Sequence, residues 1–279
     1  MPPESFADFN ILFFDVYGTL VDWESGIYNA LRPLLSRYPA SSKWTRKQAL
    51  EEFNAIEVVL KRDEPHLLYR DLLAKTHELL ERKLRQDSTE AGTENMDSSR
   101  HIAFGQSVGN WPVFPDTIAA LHILAKRYKL CVLSNVDRES FAQTLAQLSV
   151  DTVHPELYQP PSPSDGSKYW FPRDVSPESK SPFTLILTAE DVGAYKPARR
   201  ALDTALNMAK TDSHFDDGNR KVLWVAHSLS ADIDPMGKLG IPSVWIERNG
   251  SEMGLNGKHA YTWKFDTLGE FAAAVEREV

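Results

Sequence analysis

The chain has 279 residues, of which 42% are apolar and 25% are charged, and its formal net charge is −8. This acidic balance argues against nucleic acid as a partner, because phosphate binding needs a basic face. The single cysteine, Cys131, excludes an internal disulfide and a metal site built from cysteines. The sequence shows neither the run of roughly 18 apolar residues typical of a membrane span nor the features of a secretory signal. We therefore expect a cytoplasmic globular protein with a full hydrophobic core and no membrane partner.

Five short apolar runs, each without polar alternation, predict strands that are buried on both faces of a parallel sheet. Helical patterns separate most of these runs, and strands that alternate with helices predict a Rossmann-like, doubly wound α/β sheet. The functional site of such a sheet lies outside the carboxyl ends of its strands. The predicted strands are residues 10–14, 128–133, 183–188, 221–226 and 243–247.

The stretch after the first strand carries apolar residues at three- and four-residue spacing, which is typical of amphipathic helices. This pattern predicts a helical cap over residues 23–110, inserted into an α/β core formed by residues 1–22 and 111–279. Residues 155–182 are rich in proline and serine, a composition that favours a surface insert within the core. An aromatic triplet at residues 169–171 could dock this insert on the protein body.

Polar residues that can carry chemistry follow four of the predicted strands. Asp15 follows the first strand and precedes Gly18-Thr19, which is the setting of a positioned nucleophile, although aspartate is also a common turn former. Since the carboxyl ends of parallel strands meet at one edge of a sheet, we expect these polar residues to lie close together. They are Asp15, Ser134, Lys196 and Asp232.

These strand ends resemble the four motifs of the haloacid dehalogenase superfamily, and the resemblance covers essentially the whole chain apart from residues 155–182. Members of that superfamily use a nucleophilic aspartate, a serine or threonine in motif II, a lysine in motif III and carboxylates in motif IV. The resemblance implies a Rossmann-like α/β core with an inserted helical cap. The matching segments are Phe14-Asp15-Val16-Tyr17-Gly18-Thr19-Leu20, Leu133-Ser134-Asn135, Tyr195-Lys196-Pro197 and Val225-Ala226-His227-Ser228-Leu229-Ser230-Ala231-Asp232-Ile233.

Tyr17 separates two branches of this superfamily. Its phosphatases carry a second aspartate two residues after the nucleophile, which protonates the leaving oxygen. A phenol, with an ordinary pKa of about 10, is poorly matched to that task near neutral pH, whereas a halide leaving group needs no proton. Tyr17 and Ser134-Asn135 resemble the 2-haloacid dehalogenase (type II) branch, and motif IV resembles its fungal members. The resemblance implies a hydrolase acting on a small 2-halo carboxylic acid.

Motif IV bears on the metal requirement. Magnesium-dependent members carry two carboxylates there, and this chain has His227 at the first of those positions and Asp232 at the second. Because Mg²⁺ prefers oxygen ligands, His227 and Tyr17 disfavour a magnesium cofactor, and we expect none. If a cation does bind, Asp15 and Asp232 are its candidate ligands. An alternative for His227 is a strand-end histidine with a purely structural role.

The resemblance also implies a mechanism. Asp15 attacks the halogen-bearing carbon and forms an ester, which water then hydrolyses. Lys196 balances the charge of Asp15, and Thr19 orients Asp15 by a hydrogen bond. Asp232 fixes Lys196 or helps to position the attacking water. Ser134 completes the catalytic set, and the residues expected to bind substrate are Val16, Tyr17, Trp111, Asn135 and Ser228.

Several positions depart from the bacterial dehalogenase pattern. Leu202 stands where that branch carries a tyrosine, and Leu229 stands where it carries an asparagine. An arginine of the cap receives the halide in that branch. The candidates here are Arg46, Arg62 and Arg70, each of which could equally be a solvated helix charge.

Two alternatives therefore stand beside dehalogenation. One is an enzyme on the same scaffold with a different substrate, such as a magnesium-dependent phosphatase or a repurposed biosynthetic hydrolase. The other is a non-catalytic binding protein, although the retention of Asp15, Thr19, Ser134 and Lys196 weighs against lost turnover. Related dehalogenases associate through the cap, so a homodimer is compatible with the resemblance.

Overall fold

The computed structural model describes residues 5–87, 97–151, 153–162, 169–215, 220–255, 257 and 260–278. Six strands form one parallel sheet, in which the first strand of the chain lies between the second and the fourth. The strands are β1 (Ile11–Phe14), β2 (Lys129–Ser134), β3 (Phe183–Thr188), β4 (Val222–Ala226), β5 (Ser243–Ile246) and β6 (Trp263–Phe265). Their order across the sheet is β3-β2-β1-β4-β5-β6.

The prediction of a Rossmann-like, doubly wound α/β sheet is confirmed. All four residues of β1 are buried, as expected for a central strand whose two faces are both covered. The sequence did not predict β6, because Trp263–Phe265 spans only three residues and none of them is buried. Such a strand offers no continuous buried apolar run.

Helices cover both faces of the sheet. Successive residues of β1 point to opposite faces, so Leu12 and Phe14 belong to one hydrophobic cluster and Ile11 and Phe13 to another. No helix in the described part of the chain is both long and apolar enough to cross a membrane. The helices are α1 (Trp23–Leu35), α2 (Arg46–Asp63), α3 (Tyr69–Gln86), α4 (Ser98–Gly105), α5 (Thr117–Leu124), α6 (Arg138–Leu148), α7 (Pro172–Val175), α8 (Ala189–Val192), α9 (Arg199–Thr211), α10 (Asp234–Lys238) and α11 (Leu268–Glu278).

Every element between β1 and α5 is helical in the described residues, and we name residues 23–110 the helical segment. The chain enters it through residues 20–22 and returns through residues 112–114, which we together name the neck. The two sides of the neck are hydrogen bonded, since the Phe114 N–H donates to the Leu20 carbonyl at 3.1 Å.

Residues 155–182, which the sequence predicted as a surface insert, have buried anchors where the structure describes them. Tyr158 and Trp170 are fully buried, and Trp170 forms a β-bridge with Ile186 of β3. Residues 163–168 of the insert lie outside the described residues. The proline and serine content favoured exposure, but two large aromatic side chains hold the segment against the core, because burying each removes a large apolar surface from water.

Candidate active site

A tight turn holds Asp15 at the carboxyl end of β1. The Val16 carbonyl accepts hydrogen bonds from the N–H of Thr19 at 3.1 Å and from the next two N–H groups at 2.7 and 3.0 Å. Gly18 has a φ of +99°, and a Cβ there would lie 3.1 Å from Nε1 of Trp23, so the turn needs glycine. The Val16 side chain is fully buried in the core. Val16 therefore contributes its backbone to the turn.

Lys196 joins two carboxylates at the centre of the site. Its Nζ donates to Oδ1 of Asp15 and to Oδ1 of Asp232, each at 2.8 Å. Only 1% of the Lys196 side chain is exposed. Burial acts to lower the pKa of Lys196, but the two carboxylates outweigh it, and the pKa is raised above its ordinary value. Lys196 is therefore a charged ammonium at neutral pH.

Asp232 is the second carboxylate of this cluster and is fully buried. Its Oδ1 also accepts the indole N–H of Trp224 at 3.0 Å, whereas its buried Oδ2 has no hydrogen-bond partner among the described residues. Burial raises the pKa of Asp232 to about 6, although Lys196 acts to lower it. Because one ammonium faces two carboxylates, the cluster can take up a proton just below neutral pH.

Two hydroxyl groups belong to the surroundings of Asp15. Thr19 Oγ1 donates to Oδ2 of Asp15 at 2.8 Å and accepts the His227 N–H at 2.9 Å, so each Asp15 oxygen has a donor. Ser134, at the end of β2, has a buried Oγ without a hydrogen-bond partner in the described part of the chain. Buried hydroxyls are usually hydrogen bonded, and this one can donate to a bound substrate.

Asn135 and Ser228 hold other residues of the site in place. The Asn135 amide binds the backbone of Lys196 at both ends: Oδ1 accepts the N–H at 2.7 Å and Nδ2 donates to the carbonyl at 3.1 Å. Ser228 Oγ accepts a backbone N–H at 3.2 Å within the π-helical turn Leu229–Ile233, which carries Asp232. These contacts favour a positioning role for both residues over the substrate contact that the sequence predicted.

Tyr17 and Trp111 pack edge to face, with ring centroids 5.6 Å apart. The Tyr17 hydroxyl lies 2.8 Å from Oγ1 of Thr144, and burial raises the pKa of Tyr17 well above its ordinary value. A phenol that holds its proton this firmly does not match the general acid that a phosphate ester needs. Trp111 is packed so closely against α1 that a Cβ on Gly26 would lie 2.3 Å from its ring.

The residues around Asp15 do not fit a magnesium ion. Both ring nitrogens of His227 face backbone carbonyls: Nδ1 lies 2.9 Å from the Ile246 oxygen and Nε2 lies 3.1 Å from the Met253 oxygen. Both oxygens of Asp15 already have donors, one of them the Lys196 ammonium. Among the residues that the structure describes, no group of three or more His, Cys, Asp and Glu side chains is placed to hold a metal ion.

The three arginines that the sequence offered for a halide contact are all paired with carboxylates. Each guanidinium therefore already has a counter-ion. Leu202 and Leu229 are buried in the hydrophobic cluster on the Phe13 face of the sheet. The pairs are Arg46 with Glu24, Arg62 with Asp63, and Arg70 with Glu139 and Asp137.

Sequence reasoning missed three contributors to the site. Trp224 was not among the residues predicted for the site, and its indole N–H donates to Oδ1 of Asp232. Thr144 on α6 is hydrogen bonded to the Tyr17 hydroxyl, and Arg248 donates to the carbonyl of Thr19 in the turn after Asp15. The tryptophan beside motif IV was the only signal in the sequence, because the other two contacts join segments that are distant along the chain.

A family model for haloacid dehalogenase-like hydrolases matches residues 9–225. The chain belongs to this family. The matched range contains Asp15, Ser134 and Lys196, so the family assignment and the geometry of the site agree. A search of curated proteins finds no match.

Solved structures of this hydrolase family resemble the chain along nearly its whole length. An L-2-haloacid dehalogenase from Xanthobacter autotrophicus has a TM-score of 0.64 at 14% identity, with 96% of this chain and 98% of that chain covered. The putative HAD-hydrolase YfnB from Bacillus subtilis, bound to magnesium, has a TM-score of 0.61 at 15% identity, with 96% of this chain and 99% of that chain covered. A HAD phosphatase from Thermococcus onnurineus has a TM-score of 0.52 at 19% identity, with 95% of this chain and 96% of that chain covered. At these identities the likeness shows the fold, and the substrate must be argued from the site.

Proposed function

We propose that the protein is a metal-independent hydrolase of small 2-halo carboxylic acids, with Asp15 as its nucleophile. One observation carries the proposal: the buried carboxylate of Asp15 lies 2.8 Å from the buried ammonium of Lys196, and the residue two positions after Asp15 is Tyr17 and not a second aspartate. The ammonium balances the negative charge of the carboxylate, whose oxygen is the group that attacks carbon. The absence of an aspartate at position 17 favours a leaving group that needs no proton.

In the first step, an Asp15 oxygen attacks the carbon that bears the halogen. A carbon–oxygen bond forms while the carbon–halogen bond breaks, and the halide leaves with the bonding electrons. Lys196 and Thr19 bind one Asp15 oxygen each, so the carboxylate is held in one orientation before the attack. The product of this step is an ester of Asp15.

In the second step, water attacks the carboxyl carbon of that ester. The bond between this carbon and the ester oxygen breaks, so the 2-hydroxy acid leaves with an oxygen that came from Asp15, and one proton is released. Asp232 Oδ2 can accept a hydrogen bond from the water, and its pKa of about 6 suits a proton acceptor near neutral pH. Lys196 stabilises the negative charge that develops on the ester oxygen.

The substrate carboxylate is assigned to Ser134 and to backbone N–H groups after Asp15. The support is that the Ser134 hydroxyl is buried and without a partner among the described residues, at a strand end adjacent to that of Asp15. Tyr17 and Trp111 supply an apolar surface next to the nucleophile turn. Two large rings there favour an acid with a short side chain.

Halide release from (S)-2-chloropropionate tests the proposal, with and without EDTA, for the wild type and for Asp15→Asn. The wild type is expected to release halide at a rate that EDTA does not change, whereas Asp15→Asn releases none. Asparagine keeps the volume of aspartate and can still accept the Thr19 hydrogen bond, so its inactivity would identify the nucleophile. No halide from folded wild type would refute the substrate, and loss of activity with EDTA would refute metal independence.

A different substrate on the same cluster is the second candidate, and the pairing of Arg46, Arg62 and Arg70 with carboxylates favours it. Without a halide-binding arginine, the departing anion has less stabilisation. Hydrolysis of p-nitrophenyl phosphate with Mg²⁺, together with no halide release, would support this candidate. Tight binding of a 2-hydroxy acid without any turnover would instead support a binding protein.

A further inference from the structure

We propose that Arg248 is a positioning residue for the nucleophile, because it fixes the residue that orients Asp15. The proposal rests on the proposed function, since it concerns turnover by Asp15. Arg248 lies outside the four motifs, two residues after the end of β5. Its effect on Asp15 passes through Thr19.

The Arg248 guanidinium binds the backbone of Thr19 with two donors. Nε and Nη2 both donate to the Thr19 carbonyl, at 3.0 and 2.6 Å, and only 5% of the Arg248 side chain is exposed. Thr19 in turn donates its hydroxyl to Asp15 Oδ2 at 2.8 Å. Because the carbonyl and the hydroxyl belong to one residue, a shift of this peptide changes the hydrogen bond to the nucleophile.

Arg248 is itself held by the core. Its Nη1 binds Oδ1 of Asp116 at 2.7 Å, and Oδ2 of Asp116 accepts the N–H of Gly269 in α11 at 2.9 Å. The guanidinium carbon lies 4.0 Å from the centroid of the Phe114 ring, in the returning side of the neck. A planar guanidinium can satisfy these partners together, which the single nitrogen of a lysine cannot do. Thr19 is thus connected to α11 and to the neck through one side chain.

The backbone of Arg248 adopts a conformation that is uncommon for its residue type. Its φ of +53° lies in the left-handed region, which is uncommon for residues other than glycine. Glycine adopts this region without steric cost, and strained residues of this kind cluster at functional sites. Arg248→Gly therefore relieves the backbone while it removes the contact to Thr19, whereas Arg248→Ala removes the contact and keeps the strain.

Kinetics of Arg248→Gly, Arg248→Ala and Arg248→Lys test the proposal, with Arg82→Ala as a control on the exposed face of α3. Loss of a hydrogen bond from a charged donor predicts a fall in kcat of roughly 10- to 100-fold for glycine and alanine alike, with KM changed less than about twofold. Lysine is expected to restore part of the loss. If Arg248 were only structural, the less strained glycine variant would be more active than the alanine variant, and that result would overturn the proposal.

A double-mutant cycle with Thr19→Val tests whether the effect passes through the hydroxyl. In the Thr19→Val background, Arg248→Gly is expected to change kcat by less than about twofold, because the hydrogen bond that it controls is already absent. Equal fold losses in the two backgrounds would contradict the proposal.

Hydrogen–deuterium exchange separates failure of this proposal from failure of the proposed function. Whatever the substrate, Arg248→Gly is expected to speed amide exchange across residues 16–21, while Arg82→Ala leaves it unchanged. If the wild type releases no halide, the assignment of a 2-halo acid substrate fails. The amide exchange rates of residues 16–21 still test whether Arg248 holds the turn after Asp15. Unchanged exchange at residues 16–21 would overturn the role of Arg248.

Discussion

Replacing Lys196 by methionine removes the ammonium that joins Asp15 and Asp232. Methionine fills a similar buried volume with an adaptable apolar chain, so the change isolates the charge. Two buried carboxylates are then left facing each other without a cation. Since like charges in a buried site cannot both ionise easily, one carboxyl must take up a proton.

The size of the effect follows from the burial of the cluster. Lys196 has 1% of its side chain exposed and donates two charge-assisted hydrogen bonds at 2.8 Å. Breaking a buried ion pair by removing one partner costs about 3–5 kcal/mol in the free energy of unfolding. The pKa of Asp232 is already raised to about 6, against about 4 in an unfolded chain, and the loss of the ammonium raises it further.

The raised pKa fixes the pH dependence of this loss. A carboxyl with a raised folded-state pKa contributes stability that is present below its unfolded pKa and is lost as the pH rises through its folded pKa. Lys196→Met is therefore destabilised more at pH 7.5 than at pH 5. Urea unfolding followed by tryptophan fluorescence measures both values, with the exposed Lys126→Met as the matched control. Halide release is expected to fall at least about 100-fold. An equal loss of stability at the two pH values, or near-wild-type turnover, would refute this reasoning.

Three further predictions concern a carboxylate, a histidine and an aromatic anchor. Asp232→Asn is expected to gain about 2 kcal/mol in stability relative to wild type as the pH rises from 4.5 to 7.5, because it removes a carboxyl whose folded-state pKa of about 6 is above its unfolded value. The same variant should accumulate alkylated Asp15 in intact-mass spectra, and rapid ester turnover would count against a role for Asp232 in hydrolysis. Burial lowers the pKa of His77 to about 4, so its contribution is present above its ordinary pKa of about 6.5 and is lost as the pH falls toward 4. Between pH 7.5 and 5 the wild type should lose about 2 kcal/mol more than His77→Gln, and equal losses in urea unfolding would contradict the assignment. Trp170→Ala should cost about 3–5 kcal/mol of stability with kcat nearly unchanged, and a small cost would show that Trp170 does not anchor residues 155–182.

The convergence of Asp15, Ser134 and Lys196 on one edge could be predicted from the sequence, because strand position and strand direction determine it. Each residue follows a buried apolar run, and parallel strands bring their carboxyl ends together. The sixth strand could not be predicted in this way, since it is short and partly exposed.

The hydrogen-bond partners of individual side chains could not be predicted from the sequence. Asn135 binds the backbone of Lys196 across 61 positions of the chain, and Arg248 reaches Thr19 across 229. Such contacts depend on how distant loops are placed, which local periodicity does not determine. Motif position alone assigned Asn135 to the substrate, whereas its hydrogen bonds favour a role in holding Lys196.

Single-turnover reaction in H₂¹⁸O tests the central claim most directly. Excess protein is mixed with (S)-2-chloropropionate. Mass spectrometry then measures the masses of two species, the peptide that contains Asp15 and the 2-hydroxy acid product. Attack by Asp15 predicts ¹⁸O in the Asp15 carboxylate and ¹⁶O in the product hydroxyl, because water attacks the carboxyl carbon of the ester. Label in the product hydroxyl with none in Asp15 would show that water displaces the halide directly, and would contradict Asp15 as the nucleophile.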